Sequence, residues 1–457
     1  MVYKSRKRKV HFIGIGGIGM SGISEILISQ GYTVSGSDLN ESDITKRLAS
    51  LGASIHYGHR ESNLDAADVV VVSSAIDEKN PEVQAARKRK IPIIQRAEML
   101  GELMKMKTGI AIAGTHGKTS TTSMIGTIVQ SSGLDPTIII GGRVDALGGN
   151  AKHGKGDFLV AEADESDKSF LHLPSTIAIV TNIDNDHLNN YGTIENIKDA
   201  FVDFVNAIPF YGLAILCQDD ENVKAILPRI NKPFMTYGFS PQADLHIKNL
   251  TFSGFGSEFE VLKDDKKLGS AECNVPGKHN ALNAVAAIAA GMEIGLTFAQ
   301  ASQGLAQFKG VRRRFELKGE KGGVKVFDDY GHHPTEIKAT LAGARKAWPG
   351  RIVTFFQPHR YSRTQDCYDD FVRCFDEADV LFVGNIYAAG EQPIAGITAE
   401  KLVDDIRQQG HKSVEFVGEV KDAAAKIAPK LEKGDLFLTL GAGNGYVVGE
   451  QLLKLLK

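Results

Sequence analysis

Short apolar runs rich in β-branched residues alternate with amphipathic segments along almost the whole chain. The runs are KVHFIGI, YTVSGSD, DVVVVSSA, TGIAIAG, DFLVAEA, STIAIVTN, LAILC, VKVFDD, RIVTFFQ, DVLFVGN, SVEFVG and LFLTLGAG. This alternation predicts parallel sheets whose strands are joined by crossover helices. Only residues 243–275 break the pattern: their period of two and their turn residues predict a small antiparallel insert.

The length of 457 residues is too great for one ordinary core. The positions of the glycine-rich strands divide the chain into three predicted domains, at residues 1–105, 106–312 and 313–457.

The composition is that of a globular protein in water, with 42% hydrophobic residues, 24% charged residues and a formal net charge of -2. This balance predicts no general attraction to nucleic acid or to a membrane surface. The basic run KSRKRK is interpreted as a solvated tail, and the following apolar stretch is broken by glycines and by Glu25, which argues against a signal peptide. No CxxC pair occurs among the four cysteines, so we expect a cytoplasmic protein without a disulfide framework.

An early glycine loop follows the first strand, in HFIGIGGIGMSG. Gly14, Gly16 and Gly19 satisfy the pattern GxGxxG, and Asp38 ends the next strand, where a carboxylate can accept a ribose hydroxyl. Such a loop predicts anion binding at a helix N-terminus. From these residues alone three readings stay open: NAD(P) or FAD, another nucleotide diphosphate, or a plain turn.

A second loop, in GIAIAGTHGKTST, is more specific. A strand, the loop GTHGK and a helix follow one another, which puts Lys118 over the phosphates of a nucleotide and the Thr119 hydroxyl near Mg²⁺. The loop is a shortened variant of the P-loop, because Ile112 stands where GxxxxGK[ST] requires glycine.

Two polar clusters follow strands downstream of this loop, where carboxylate and amide oxygens suit Mg²⁺–phosphate chemistry. The alternative for each cluster is a solvated turn or a helix cap. The first contains Glu162, Asp164, Glu165 and Asp167, and the second Asn182, Asp184, Asp186 and His187.

Seven motifs together identify a resemblance that covers essentially the whole chain. They are GTHGKTSTT, EADESD, TNIDNDHLNNY, GKHNALNA, RRRFE, DDYGHHPTE and PHRYSRT, and in this order they resemble the Mur ligases of bacterial peptidoglycan synthesis. The resemblance implies an α/β fold of three domains. These would be an N-terminal Rossmann-like parallel sheet, a central P-loop ATPase-like domain with the antiparallel insert, and a C-terminal Rossmann-like domain.

The implied reaction is ATP-dependent ligation of L-alanine to the muramoyl carboxylate of UDP-N-acetylmuramate through an acyl phosphate. ATP and Mg²⁺, or Mn²⁺ in its place, would be the cofactors, and no nucleic acid or membrane partner is expected of this monomer or homodimer. The alternatives are a related ligase that attaches a recycled murein peptide to the same sugar nucleotide, a regulatory P-loop switch, and an NAD(P)-dependent oxidoreductase.

The resemblance also implies roles for particular residues. The UDP-sugar would bind at Gly14, Gly16, Gly17, Gly19, Asp38, Ser73, Ser74 and Ala75. ATP would bind at Gly114, Thr115, His116, Gly117, Lys118, Thr119, Ser120, Asn280, Asn283 and Asp329. One metal ion would bind Thr119 and Glu162, and a second ion would bind Glu162 and His187. The catalytic residues would be Lys118, Glu162, His187 and Arg314. The amino acid would bind Tyr330, His332, Arg360 and Arg363.

Several of these roles have simpler alternatives. Asn280 would then cap a helix, Arg314 would be a surface cation, and Arg360 and Arg363 would be surface arginines. His187 or His332 is a candidate base for the amine. Sister enzymes use a carbamylated lysine at the metal, for which the nearest residue here, Lys198, is placed on a solvated helix face.

Overall fold

The computed structural model describes residues 8–73, 75–144, 149–186 and 188–456, which form an α/β fold with three sheets. The predicted α/β class is confirmed. All twelve apolar runs contain a strand, and two of the strands that the sequence did not predict, Ser54–Tyr57 and Ile93–Gln95, are short and half-exposed.

The N-terminal sheet has five parallel strands. They are β1 (Lys9–Ile13), β2 (Thr33–Asp38), β3 (Ser54–Tyr57), β4 (Val69–Val72) and β5 (Ile93–Gln95), in the spatial order β3-β2-β1-β4-β5. The helices are α1 (Ile18–Ser29), α2 (Asp43–Ser50), α3 (Pro81–Lys88) and α4 (Arg96–Met104). The order reverses between β1 and β4, and such a switch point is where open α/β sheets bind ligands.

The central sheet has ten strands. They are β6 (Thr108–Ala113), β7 (Thr137–Val144), β8 (Gly149–Lys152), β9 (Phe158–Glu162), β10 (Ile177–Val180), β11 (Leu213–Cys217), β12 (Phe234–Gly238), β13 (Leu245–Ser253), β14 (Gly256–Lys263) and β15 (Lys266–Cys273), in the order β15-β14-β13-β12-β11-β10-β6-β9-β7-β8. The helices are α5 (Lys118–Ser131), α6 (Leu188–Tyr191), α7 (Ile194–Asn206), α8 (Glu221–Ile226), α9 (Lys278–Glu293) and α10 (Phe298–Leu305). Two-residue turns join β13, β14 and β15, and neighbouring strands joined so tightly must be antiparallel, as predicted.

The C-terminal sheet has six strands. They are β16 (Glu316–Lys321), β17 (Val324–Asp329), β18 (Ile352–Phe356), β19 (Val380–Gly384), β20 (Val414–Gly418) and β21 (Leu436–Leu440), in the order β16-β17-β21-β18-β19-β20. The helices are α11 (Pro334–Ala347), α12 (Tyr361–Asp366), α13 (Tyr368–Phe371), α14 (Ala399–Gln408), α15 (Val420–Ile427) and α16 (Tyr446–Leu455). Only β16 runs antiparallel to its neighbour. Short 3-10 turns complete the fold at Glu61–Leu64, Ser169–His172, Leu227–Arg229 and Ala428–Lys430.

The chain divides into two compact units. The first comprises residues 1–247, 261–269 and 282–307, and the second comprises residues 248–260, 270–281 and 308–457. One apolar core in the first unit joins residues of the N-terminal sheet, such as Phe12, to residues of the central sheet, such as Ala111. In the second unit, successive residues of β17 point into different apolar cores: Val326 packs in one core and Phe327 in the other. Both faces of that sheet are therefore covered. The boundaries of the three predicted domains stay predictions.

Candidate active site

The second glycine loop connects β6 to the N-terminus of α5, as the sequence predicts. Gly114 and Gly117 have φ values of 134° and 85°, a region that favours glycine. A methyl group on Gly114 would also lie 2.0 Å from Oγ1 of Thr181. The loop therefore follows a path open only to glycine at these two positions and delivers Lys118 to the first turn of α5.

Lys118 lies at the centre of a carboxylate cluster. Its Nζ donates to the carbonyl of Gly114 at 2.6 Å and to both carboxylate oxygens of Glu165 at 2.9 and 2.8 Å. Burial alone would lower the pKa of Lys118, but the carboxylates of Glu165, Asp164 and Glu162 raise it above its ordinary value. The ammonium group is therefore charged, as a phosphate ligand must be.

Thr119 and Glu162 bring two hard oxygen donors together. The Thr119 hydroxyl donates a hydrogen bond to Oε1 of Glu162, which ends β9 beside β6. A hydroxyl and a carboxylate next to a phosphate-type loop are donors that suit Mg²⁺. The residues present thus fit the predicted ion, whereas His187, predicted for a second ion, lies outside the described residues.

The polar cluster after β10 forms hydrogen bonds with the second glycine loop. Asn182 Oδ1 accepts from the His116 backbone N–H at 2.8 Å, and the Asp184 N–H donates to Oγ1 of Thr115 at 2.8 Å. The His116 ring lies 3.0 Å from Oδ2 of Asp184. These contacts shape the glycine loop, a role that the sequence did not distinguish from metal binding.

The two predicted asparagines differ in their surroundings. Asn283 lies against the second loop, since a methyl group on Gly117 would be 2.8 Å from its Oδ1. Asn280 belongs to the second unit, is buried, and donates from Nδ2 to the carbonyl of Pro276 at 2.7 Å. This hydrogen bond stabilises the start of α9.

Two further residues named from the sequence lie in helices. Ser120 lies in the first turn of α5. Lys198 was expected on a solvated helix face, but its side chain is mostly covered and pairs with Glu195 at 2.9 Å.

The first glycine loop is held by the end of β2. The N–H groups of Gly14 and Ile15 donate to the carbonyl of Ser37 at 2.8 and 3.0 Å. The Gly16 N–H donates to Oδ2 of Asp38 at 2.9 Å. Asp38 therefore organises the loop itself.

The other residues predicted for this pocket follow β4 or begin α1. Ser73 lies next to the first glycine loop, with its Oγ 3.9 Å from a methyl group placed on Gly14. Ala75 and Gly17 are exposed, whereas Ser74 lies outside the described residues. Gly19 lies in the first turn of α1 and faces Arg96.

A buried network that sequence reasoning missed lies behind this loop. Glu82 is completely buried and accepts from Nδ2 of Asn63 at 2.6 Å, Oγ of Ser37 at 2.7 Å, the Arg60 N–H at 3.1 Å and Nε2 of His11 at 3.1 Å. Burial raises its pKa, but these partners outweigh burial and hold the pKa of Glu82 below its ordinary value. The charged network thereby joins β1, β2 and α3 next to the loop.

In the second unit, Asp329 ends β17. Its oxygens accept the backbone N–H groups of Phe315 and Gly331, both at 2.7 Å. Burial raises the pKa of Asp329 to about 6, although nearby Arg314 opposes this. Arg314 lies 3.5 Å from Glu336 and faces the ring of Tyr330.

Three of the four residues predicted to bind the amino acid lie close together: Tyr330, His332 and Arg363. The His332 ring lies edge-on to Tyr330 and to His359, and Arg363 approaches Nδ1 of His359 at 3.3 Å. Burial lowers the pKa values of His332 and His359 to about 4, so both rings are neutral at pH 7. His359 stands inside the motif PHRYSRT and was not singled out from the sequence.

Arg360 has an unusual backbone and an exposed side chain. Its φ of 70° is rare for a residue with a side chain, and its N–H donates to the carbonyl of Tyr387 at 2.8 Å. Its charge lowers the pKa values of His359 and Glu391, so it lies near the amino-acid cluster. A shared carboxylate for Arg360 and Arg363 stays a prediction.

Family models match most of the chain. The Mur ligase family catalytic domain matches residues 9–108, the Mur ligase middle domain residues 112–291, and the Mur ligase glutamate ligase domain residues 313–443. The chain belongs to the Mur ligase family. Membership removes the oxidoreductase alternative and confirms the resemblance drawn from the seven motifs.

Relatives match over almost their whole length. A UDP-N-acetylmuramate–L-alanine ligase of Trichlorobacter lovleyi is 56% identical over 448 residues, 98% of each chain, and one of Myxococcus xanthus is 53% identical over 457 residues, 100% of this chain and 97% of that one. The structure of a UDP-N-acetylmuramate–alanine ligase from Thermotoga maritima matches with a TM-score of 0.81 at 30% identity and 98% coverage of both chains. A murein peptide ligase from Psychrobacter arcticus matches with a TM-score of 0.70 at 26% identity, again with 98% coverage of both.

Proposed function

We propose that this Mur ligase joins L-alanine to the muramoyl carboxylate of UDP-N-acetylmuramate, with ATP as the phosphoryl donor. The observation that carries the proposal is the second glycine loop. There, charged Lys118 lies beside Thr119 and Glu162, whose oxygens suit a metal ion. The names of full-length relatives at 53 to 56% identity support the choice of substrates.

ATP is needed because a carboxylate resists attack by an amine. A muramoyl carboxylate oxygen attacks the γ-phosphorus, the bond to ADP breaks, and an acyl phosphate forms. The alanine nitrogen then attacks the acyl carbon, phosphate leaves, and the nitrogen loses its proton. Lys118 and Arg314 stabilise the charge on the transferring group, which is positioning and electrostatics rather than covalent catalysis by the protein.

Mg²⁺, when bound, would neutralise charge on the phosphates, and Thr119 and Glu162 are the described residues that would hold it. Arg363 supplies a cation for the alanine carboxylate. The Nδ1 of His332 lies 3.0 Å from the carbonyl of Tyr330, so its Nε2 is the acceptor. Because a pKa of about 4 makes a weak base, we assign His332 to positioning the amino acid rather than to proton removal.

The test is a coupled assay with ATP, Mg²⁺ and UDP-N-acetylmuramate, in which alanine, glycine, serine or a murein tripeptide is varied. We expect phosphate release and a product heavier by one alanine residue. Product with the tripeptide alone would favour the recycling ligase, and hydrolysis of ATP without any amide product would contradict both ligases. Cytoplasmic location and a monomeric or dimeric state stay predictions from the sequence.

A further inference from the structure

Arg96 is the first residue of α4, and its side chain lies on the first turn of α1. A methyl group placed on Gly19 would be 3.0 Å from both Cδ and Nη1 of Arg96 and 3.4 Å from its Nε. Gly19 is the last glycine of the GxGxxG pattern in the first glycine loop. The guanidinium group therefore lies against the helix end that the loop presents to an anion.

The position of Arg96 in the sheet agrees with a ligand contact. Gly14 follows β1, Ser73 follows β4 and Arg96 follows β5, and these three strands are neighbours with parallel pairing. Their carboxyl ends therefore meet at one edge, next to the switch point between β1 and β4. Ligands of open α/β sheets bind at this edge.

The charge of Arg96 also reaches Asp164, in the acidic segment that follows β9. Burial raises the pKa of Asp164, but Lys118, the Ser166 N–H and Arg96 together lower it below its ordinary value. Asp164 follows β9, two residues after Glu162. Within the described part of the chain, no hydrogen bond or ion pair occupies the half-buried guanidinium group of Arg96.

We propose that Arg96 binds an oxyanion of the sugar nucleotide, at its diphosphate or at its carboxylate. A guanidinium group offers two parallel N–H donors to either oxyanion. This assignment rests on the proposed function. It adds a cation to the first glycine loop.

The test measures binding of UDP, UDP-N-acetylglucosamine, UDP-N-acetylmuramate and ADP to full-length protein by calorimetry. The variants are Arg96→Gln and Arg96→Lys, with Arg89→Gln as control, because Arg89 pairs with Glu61 at the surface, 3.1 Å away. Loss of a charge-assisted hydrogen bond should weaken sugar-nucleotide binding about 10- to 100-fold in Arg96→Gln. We expect a smaller loss in Arg96→Lys, no loss in Arg89→Gln, and an unchanged ADP affinity and melting temperature throughout.

The pattern across ligands identifies the oxyanion. A loss shared by all three uridine nucleotides identifies the diphosphate, and a loss confined to UDP-N-acetylmuramate identifies the carboxylate. Unchanged binding in Arg96→Gln, or an equal loss of ADP with a lower melting temperature, overturns the assignment. Failure of the unmodified protein to bind UDP-N-acetylmuramate would instead contradict the proposed function.

Discussion

At the scale of single residues, the pairing of Lys118 with Glu165 couples the proposed catalytic role of Lys118 to the stability of the fold. The Glu165 side chain is only 2% exposed, and both of its oxygens contact Nζ of Lys118. Removing the ammonium group would leave a buried carboxylate without its cation. A catalytic defect in a Lys118 variant would therefore be accompanied by a stability defect.

We predict that Lys118→Met lowers kcat by at least about 100-fold, because the transferring phosphoryl group loses a positive charge. It should also lower the free energy of unfolding by about 3 kcal/mol, because a buried pair loses one partner. Lys118→Met/Glu165→Met should regain much of this stability without regaining turnover, as measured by urea unfolding and steady-state kinetics. Normal turnover in the single variant would contradict the assignment of Lys118.

The pair of His332 and His359 predicts a dependence of stability on pH. Their pKa values of about 4 lie below the ordinary value of 6.5, so between these two pH values the unfolded chain binds more protons. The two histidines should therefore lower the free energy of unfolding as the pH is lowered from about 6.5 to 4, whereas Asp329, with a pKa raised to about 6, opposes part of this fall. Denaturation curves across this range should show a shallower fall in His359→Gln, and an equal fall would contradict the pKa shift of His359.

At the scale of elements, the N-terminus of α5 depends on a backbone shape that only glycine adopts easily. Gly117 precedes Lys118 with a φ of 85° and lies against Asn283. Gly133, just beyond the other end of the helix, has a φ of 77° but nothing within 4 Å of an added methyl group. Both glycines therefore have a positive φ that disfavours other residues, but only at Gly117 would an added methyl group meet a neighbouring side chain.

We predict that Gly117→Ala weakens ATP binding about 10-fold or more, because the methyl group would push the loop away from Asn283. Both Gly117→Ala and Gly133→Ala should lower the free energy of unfolding by about 1 to 2 kcal/mol, the cost of placing alanine at positive φ. Calorimetry with ATP should find Gly133→Ala unchanged. Equal ATP affinities in the two variants would contradict the role of this contact.

At the scale of the whole molecule, the turn between β13 and β14 belongs to the second compact unit. Phe255 in this turn stacks on Trp348, with ring centroids 6.0 Å apart, and contacts Phe327 at 4.8 Å and Phe315 at 5.9 Å. The predicted antiparallel insert thus contributes a side chain to a core of the C-terminal sheet.

We predict that Phe255→Ala lowers the free energy of unfolding by about 2 kcal/mol, since a partly buried aromatic ring is lost. Leu268→Ala, on the exposed face of β15, should change it by less than about 0.5 kcal/mol. Hydrogen exchange should quicken in β17 and α11 of the Phe255 variant. Unchanged exchange there would contradict the packing of the turn.

The sequence by itself determined the strand–loop–helix units, both glycine loops and the family. Each unit, each loop and each single motif of the family depends on residues close together in the chain, such as Gly117, Lys118 and Thr119, whose geometry follows from local sterics and periodicity. The tertiary structure decided which distant residues meet: Glu165 at Lys118, Asn283 at Gly117, Arg96 at Gly19. These pairs depend on the order in which strands assemble, and a local pattern of apolar and polar residues does not encode that order. The same limit explains why the contacts of Asp184 with the second loop could not be predicted from the sequence.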